Sequence, residues 1–320
     1  MEQTYNIQAN YNAYCWVEPA GSNSITLSQA SYGSNDIYYS TDCQNWLPIS
    51  YDNPVTVNQR VFINFGKKYV GESRGVLAIT SGNYNIGGTI GNSRYGGPSE
   101  GPGTVRIAGD TKLISAKHLR IRSINAYSGL FDGCTNLVEA PDINITYTSN
   151  SEPYPDDIAN FENMFRNCSS LVNPPTITID FNNKTYKQVV NFNSMFNSCT
   201  SLISVPKIIL KNRNLEKETT FPFIYKCSYM FAGCSNLETI LDSFGPWHTN
   251  SNYMYSNCSK IKMSETQSSE YPNEWEAPWI ANSSYNSDNM FYGTGGTFTG
   301  TPTNVGIYYT SNRIVNIKKE

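Results

Sequence analysis

The chain has 320 residues, enough for two ordinary domains or for one small domain joined to a repeat array, and a formal net charge of −3. Charged residues make up 15%, and 23 tyrosines and 23 glycines, with Asn, Ser and Thr, fill the gap; an average soluble domain is roughly 25% charged. No basic patch is present, which argues against nucleic acid as a partner, and no run approaches the ~18 apolar residues of a membrane span.

From the N-terminus, "MEQTYNIQANYNAYCWVEP" has neither a basic stretch nor an apolar core of the kind that makes a signal peptide. The expectation is a chain that folds in a cytoplasm, where disulfides rarely persist. Residues 4–80 then carry short strand signals, "YNIQA", "AYCWVEP", "SITLSQ", "IYYST", "VTVNQ" and "RVFINFG", separated by turn residues at short intervals. The pattern predicts a small β-sandwich or barrel-like module over 1–80. Trp16, Tyr38, Tyr39, Trp46, Val61, Ile63 and Phe65 are its expected core. Cys15 and Cys43 could bridge in an oxidising setting; two buried thiols fit a cytoplasmic chain better. Residues 81–103, "SGNYNIGGTIGNSRYGGPSEGPG", read as a Gly/Ser-rich loop or linker. These glycines do not open a helix in G-x-G-x-x-G spacing and are assigned no phosphate role.

Beyond "TVRIAG" and "TKLIS" the chain repeats itself. "LFDGCTNL" (130–137) returns as "MFRNCSSL" (164–171), "MFNSCTSL" (195–202), "MFAGCSNL" (230–237), "MYSNCSKI" (254–261) and "MFYGTGGT" (290–297). Phe161, Met164, Phe165, Cys168 and Leu171 stand at offsets 0, 3, 4, 7 and 10. Tyr127, Leu130, Phe131, Cys134 and Leu137 repeat those offsets, as do Phe192, Met195, Phe196, Cys199 and Leu202. That spacing predicts one apolar face of a short helix. A proline follows each leucine by four residues, at Pro141, Pro175 and Pro206, where it would close the helix. "DINI" (142–145), "TITI" (176–179) and "KIIL" (207–210) then alternate like short strands.

Such a unit cannot bury itself alone, so the expected architecture over 104–300 is an α/β solenoid of about six stacked repeats, each a short helix plus a short strand. The tail 301–320, "VGIYYTSNRIVNIKK", alternates as a C-terminal β cap. The recurring Phe131, Cys134, Leu137, Met164, Phe165, Cys168, Leu171, Met195, Phe196, Cys199, Leu202, Met230, Phe231, Cys234, Leu237, Met254, Cys258, Met290 and Phe291 form the expected repeat core. Each Cys falls in a small buried slot between Phe and Leu, and Thr294 replaces it in the last copy, a change that a packing slot tolerates and a metal site would not. Cys227 holds the slot of Phe161 and Phe192.

These copies resemble the BspA-like leucine-rich repeat family, whose units read roughly M-F-x-x-C-x-x-L-x-x-x-P; the likeness covers about 104–300, and the last two copies depart from it. "DIYYSTDCQNWLPIS" and "PVTVNQRVFINFGKK" resemble a small β module that precedes such repeats in proteins of gut bacteria and their phages. The resemblance implies surface attachment or structural roles, with no catalytic residues.

The residues themselves also give little chemistry. His118 and His248 lie in separate units and in no zinc-ligand spacing. Asp156 and Asp157, and Glu274 and Glu276, are the paired acids a glycosidase reading would use. Their place in polar connections favours solvated or helix-capping roles. Variable connections, roughly 146–159, 180–190, 211–226, 242–252 and 264–286, are expected on one edge of the stack. Trp247, Tyr253, Tyr255, Tyr271, Trp275, Trp279 and Tyr285 concentrate near the last two, either as a binding surface for sugar or protein or as a seal for the stack.

The function expected from this reading is non-enzymatic, without cofactor or metal: a phage virion component, fibre- or tail-associated or capsid-decorating, assembled in the host cytoplasm. Its partners would be other virion proteins or a host-surface glycan or protein, and nothing in the sequence forbids an oligomer. A bacterial cell-surface adhesin is the alternative, and a carbohydrate-active enzyme a second.

Overall fold

The computed structural model describes residues 14–30, 37–65, 76–90, 104–121, 127–146, 158–180, 189–211, 224–238, 248–261, 263–266, 293 and 316–319. The chain divides into two compact units, Met1–Ile143 and Asn144–Glu320. Among the described residues no helix is long and apolar enough to cross a membrane.

The first unit holds β1 (Cys15–Pro19), β2 (Ile25–Gln29), β3 (Ile37–Ser40), β4 (Leu47–Ile49), β5 (Val55–Val57), β6 (Val61–Asn64), β7 (Val76–Ser81), β8 (Tyr84–Ile90), β9 (Thr104–Val105) and β10 (Leu113–Ile121). One sheet runs β10-β8-β1-β6-β3-β4 and the other β5-β2-β7-β9. Neighbours are antiparallel except β10 with β8 and β9 with β7. Period-2 alternation buries Ile25 and Leu27 on β2 and Leu77 and Ile79 on β7. On β6, an interior strand of its sheet, Val61, Phe62 and Ile63 are all buried. Trp16 and Phe65 are buried too, whereas Tyr38, Tyr39 and Trp46 are only half-buried.

The segment 81–103, expected as a loop or linker, contains β8, an interior strand of the larger sheet. Its glycines serve close approach. A Cβ on Gly87 would fall within the Trp16 indole, and Gly88, at φ +75°, would drive a side chain into the Tyr14 carbonyl. The first repeat copy (127–137) also belongs to this unit: Val138 N–H donates to Ile114 O, and Ala116 N–H to Glu139 O.

The second unit begins within β11 (Ile143–Thr146) and continues with β12 (Ile158–Asn160), β13 (Ile177–Asp180), β14 (Val189–Asn191), β15 (Ile208–Lys211), β16 (Ile224–Lys226), β17 (His248–Asn250), β18 (Met263–Thr266) and β19 (Asn316–Lys319). The alternating segments after the prolines are β11, β13 and β15, which form one small sheet. A second sheet, β12-β14-β16-β17, is built from residues just ahead of each motif, within connections expected to be irregular. Its pairs are parallel, with Ala159 opposite Val190 and Val190 opposite Tyr225. In the C-terminal region β18 pairs antiparallel with β19.

The motifs themselves are not helical, and this corrects the expected fold class. The described residues are all-β, in several small sheets, with no helix; the α/β leucine-rich-repeat solenoid does not form. The reason lies in two left-handed residues per copy. The residue before each Met has positive φ at Asn163 (57°), Ser194 (54°), Tyr229 (58°) and Tyr253 (54°). The residue before each Cys does so at Asn167 (62°), Ser198 (62°), Gly233 (75°) and Asn257 (60°). A right-handed helix cannot pass through such residues.

Consecutive tight turns form instead. Met164 N–H bonds to Phe161 O, Arg166 N–H to Asn163 O and Cys168 N–H to Phe165 O. The intervening N–H groups leave the copy altogether: those of Phe161, Asn163, Phe165 and Asn167 donate to the carbonyls of Asn191, Asn193, Met195 and Asn197. The next copies repeat this, Phe196 N–H reaching Met230 O and Phe231 N–H reaching Met254 O. Offsets of 3, 4 and 7 therefore arise from a chain of turns in which every second N–H pairs with the next copy. Aromatic side chains follow the same register. Phe165 stacks on Phe196 at 5.4 Å, Phe196 on Phe231 at 5.6 Å, and Phe231 on Tyr255 at 5.4 Å.

Candidate recognition surface

The thiols of the repeats face inward. Cys134, Cys168, Cys199, Cys227, Cys234 and Cys258 are buried, and all eight cysteines of the chain are free, Cys15 and Cys43 included. The sulfurs also act as donors. Cys199 Sγ–H donates to Phe165 O at 3.0 Å, Cys234 to Phe196 O at 3.0 Å and Cys258 to Phe231 O at 3.0 Å, each to the preceding copy. In the first unit, Cys134 donates to Ile107 O at 3.2 Å. Burial pushes the Cys134 and Cys258 thiols up to about 12 and those of Cys199 and Cys234 well above their ordinary value. These are protonated, structural thiols rather than nucleophiles. Among the described residues no three His, Cys, Asp or Glu side chains gather in a metal-binding group.

The most buried carboxylate among the described residues of the first unit is equally committed to the fold. Asp110 accepts the Tyr84 hydroxyl at 3.1 Å on Oδ2 and the Lys112 N–H at 2.9 Å on Oδ1, and Lys112 Nζ lies 2.7 Å from Oδ1. Burial first, and the neighbouring Asp110 charge next, hold the Tyr84 phenol far above its usual range. Both carboxylate oxygens face fixed donors, leaving this group no role toward a ligand. His118 is exposed, its ring 6.3 Å from that of Trp16, and Arg60 covers Trp16 at 4.0 Å while pairing with Glu18.

Outward, the copies present the left-handed residues that precede each Met. Backbone bonds lock them into one column: Asn163 N–H to Asn193 O, Ser194 N–H to Ser228 O, and Tyr229 N–H to Asn252 O. Asn163 and Ser194 are half-exposed and Tyr229 is 42% exposed. Tyr229 and Tyr253 stack at 5.0 Å with their planes 4° apart. Asn tolerates positive φ; tyrosine has no such preference.

Of the aromatic residues expected at the surface, Tyr253 is half-buried and stacks on the exposed Tyr229. Tyr255 is fully buried against Phe231 and is a core residue, which corrects its assignment to the binding surface. Its neighbour two positions earlier is only half-buried, because the enclosed slots of this copy are Ser251, Met254, Tyr255 and Cys258, at offsets 0, 3, 4 and 7, and Tyr253 falls between them. Trp247, Tyr271, Trp275, Trp279 and Tyr285 lie outside the described residues, as do Met290, Phe291, Thr294, Asp156, Asp157, Glu274 and Glu276. Asn163, Ser194 and Tyr229 were not singled out by sequence. Their signal was faint: the slot before the Met, or before Leu130 in the first copy, reads Gly129, Asn163, Ser194, Tyr229, Tyr253, and only its Gly and Asn belong to the residues that readily accept positive φ. Compared with protein-family models, curated proteins and solved structures, the chain finds no match.

Proposed function

We propose that the chain is a non-enzymatic recognition and assembly protein, and that it serves as a phage virion component, fibre- or tail-associated or capsid-decorating, which meets a host surface or other virion proteins. The observation that carries this reading is the outward column of Asn163, Ser194, Tyr229 and Tyr253, whose backbones are fixed in register by bonds between copies. Rigid Tyr beside Ser and Asn is the composition of a surface that recognises without reacting. The thiols support the assembly site: eight free cysteines, six of them buried in the repeats, suit folding in a reducing cytoplasm, where a virion is built. The resemblance of the repeats to BspA-like units of gut bacteria and their phages points the same way. Mass spectrometry and immunogold labelling of particles released from cells that express the chain from its native genome test the reading. Label on the particles is the expected result; a chain confined to the cell envelope or the cytosol overturns it.

A further inference from the structure

We propose that the face of Tyr229 turned away from Tyr253 is a subsite for a neutral pyranose ring of glucose or galactose configuration, seated over Ser194 with Asn163 beyond it. This rests on the recognition reading above and names its ligand.

The site is a step in the column. Adjacent copies stand about 4.8 Å apart where their backbones pair as parallel strands do, and the Tyr229 and Tyr253 rings repeat that spacing at 5.0 Å, nearly parallel. One face of Tyr229 is thus covered by Tyr253. Its other face is directed toward the copy in which the same slot holds Ser194, whose side chain is too short to reach a phenol ring. Tyr229 accordingly keeps 42% of its surface exposed, the remainder of the column being one hydroxyl and one amide. A flat ligand about one copy thick fills this step. It needs an apolar face for the phenol and hydroxyl groups at its rim for Ser194 and Asn163. A pyranose has both: axial C–H groups on one face and hydroxyls around the edge. None of the four side chains in the column is charged, which favours a neutral sugar over a uronic acid or a sialic acid.

Backbone strain is the second observation. Tyr229 and Tyr253 hold φ of 58° and 54°, a conformation in which a bulky side chain is an outlier and which Asn or Gly would occupy more comfortably. Two successive copies keep tyrosine where the preceding two hold Asn and Ser. The fold imposes this φ in every described copy, so tyrosine is kept in the slot at a cost in strain, which points to a use for its ring.

The test is titration calorimetry of the full chain with cellohexaose, laminarihexaose and lactose, repeated on Tyr229→Asn and Ser194→Tyr. Wild type is expected to bind at least one of the three sugars. Tyr229→Asn, relieved of strain, is expected to melt a few degrees higher and to lose about tenfold or more in affinity, as removal of one aromatic platform does. Ser194→Tyr fills the step and abolishes binding while leaving the fold intact by circular dichroism. No binding of any of the three sugars to wild type, or undiminished affinity in Tyr229→Asn, overturns the proposal. Either failure leaves the particle-labelling result untouched, so loss of the sugar site and loss of the virion reading are told apart.

Discussion

Phe165 O accepts two hydrogen bonds, one from Cys168 N–H at 3.1 Å within its own copy and one from Cys199 Sγ–H at 3.0 Å. Phe196 O and Phe231 O are served in the same way by Cys234 and Cys258. A buried carbonyl has two lone pairs, and the thiol supplies the second partner in the space of a small apolar group. The requirement at this slot is therefore small and donating, and Thr294 of the last copy carries a hydroxyl donor. Replacing Cys199 by Thr or by Val separates these demands, because the two differ in little but the hydroxyl. Thr is expected to be less destabilising than Val by about 1 kcal/mol in urea denaturation; equal losses would reduce the slot to packing alone. Gly87 offers a second test. Its Cβ position is already occupied by the Trp16 indole, against which β8 lies. Gly87→Ala is expected to cost about 1–3 kcal/mol as an overpacked site, read from the midpoint of thermal unfolding.

At the level of the element, a helix and a run of tight turns share the same apolar offsets but make opposite demands on Ser198. In a helix Ala stabilises relative to Gly by about 1 kcal/mol. With φ of 62° the preference reverses. Ser198→Gly is expected to raise the stability by about 0.5–1 kcal/mol and Ser198→Ala to leave it lower than Ser198→Gly. Chemical denaturation of both variants decides, and the helical order would restore the reading that the structure overturned. The ladders between copies make a further demand at this scale. Phe161, Phe165, Phe192, Phe196 and Phe231 donate their N–H groups to the adjacent copy, so their amides should exchange with solvent slowly and together, while Arg166, whose N–H closes a local turn on Asn163 O, exchanges faster.

For the molecule as a whole, stability is bounded on the alkaline side by its buried thiols. Cys134 and Cys258 titrate at about 12 in the fold against an ordinary 9.0. The unfolded chain therefore loses those protons first, so the stabilisation is complete below about pH 9 and erodes as the pH climbs toward 12. On the acid side Glu139 works in the opposite sense. Bonds from Ser115 and Lys117 lower its pKa, and its contribution, present above the ordinary carboxylate value, fades as the pH drops. Urea midpoints should lie on a plateau around neutrality and fall above about pH 10. At pH 8 an aromatic disulfide reagent should leave the repeat thiols untouched in the native chain and titrate all eight cysteines once it is unfolded; fast native modification of Cys199 or Cys234 would show that the interior is open.

Burial was legible in the sequence and backbone geometry was not. Recurrence of Phe, Met, Cys and Leu at fixed offsets identified side chains that are indeed enclosed, such as Phe165, Met195 and Cys234, because removal from water depends on which residues recur and hardly on how the chain carries them inward. Those same offsets fit a helix and a run of turns alike, and only the Gly and Asn residues before the Met and before the Cys, such as Asn163, Asn167 and Gly233, hinted at left-handed turns. The interior place of β8, the ladder through β12 and β14, and the exposure of Tyr229 against the burial of Tyr255 all depend on partners distant in the chain. Local sequence names the groups that avoid water; long-range pairing of N–H and C=O chooses the path, and with it which rings are left outside.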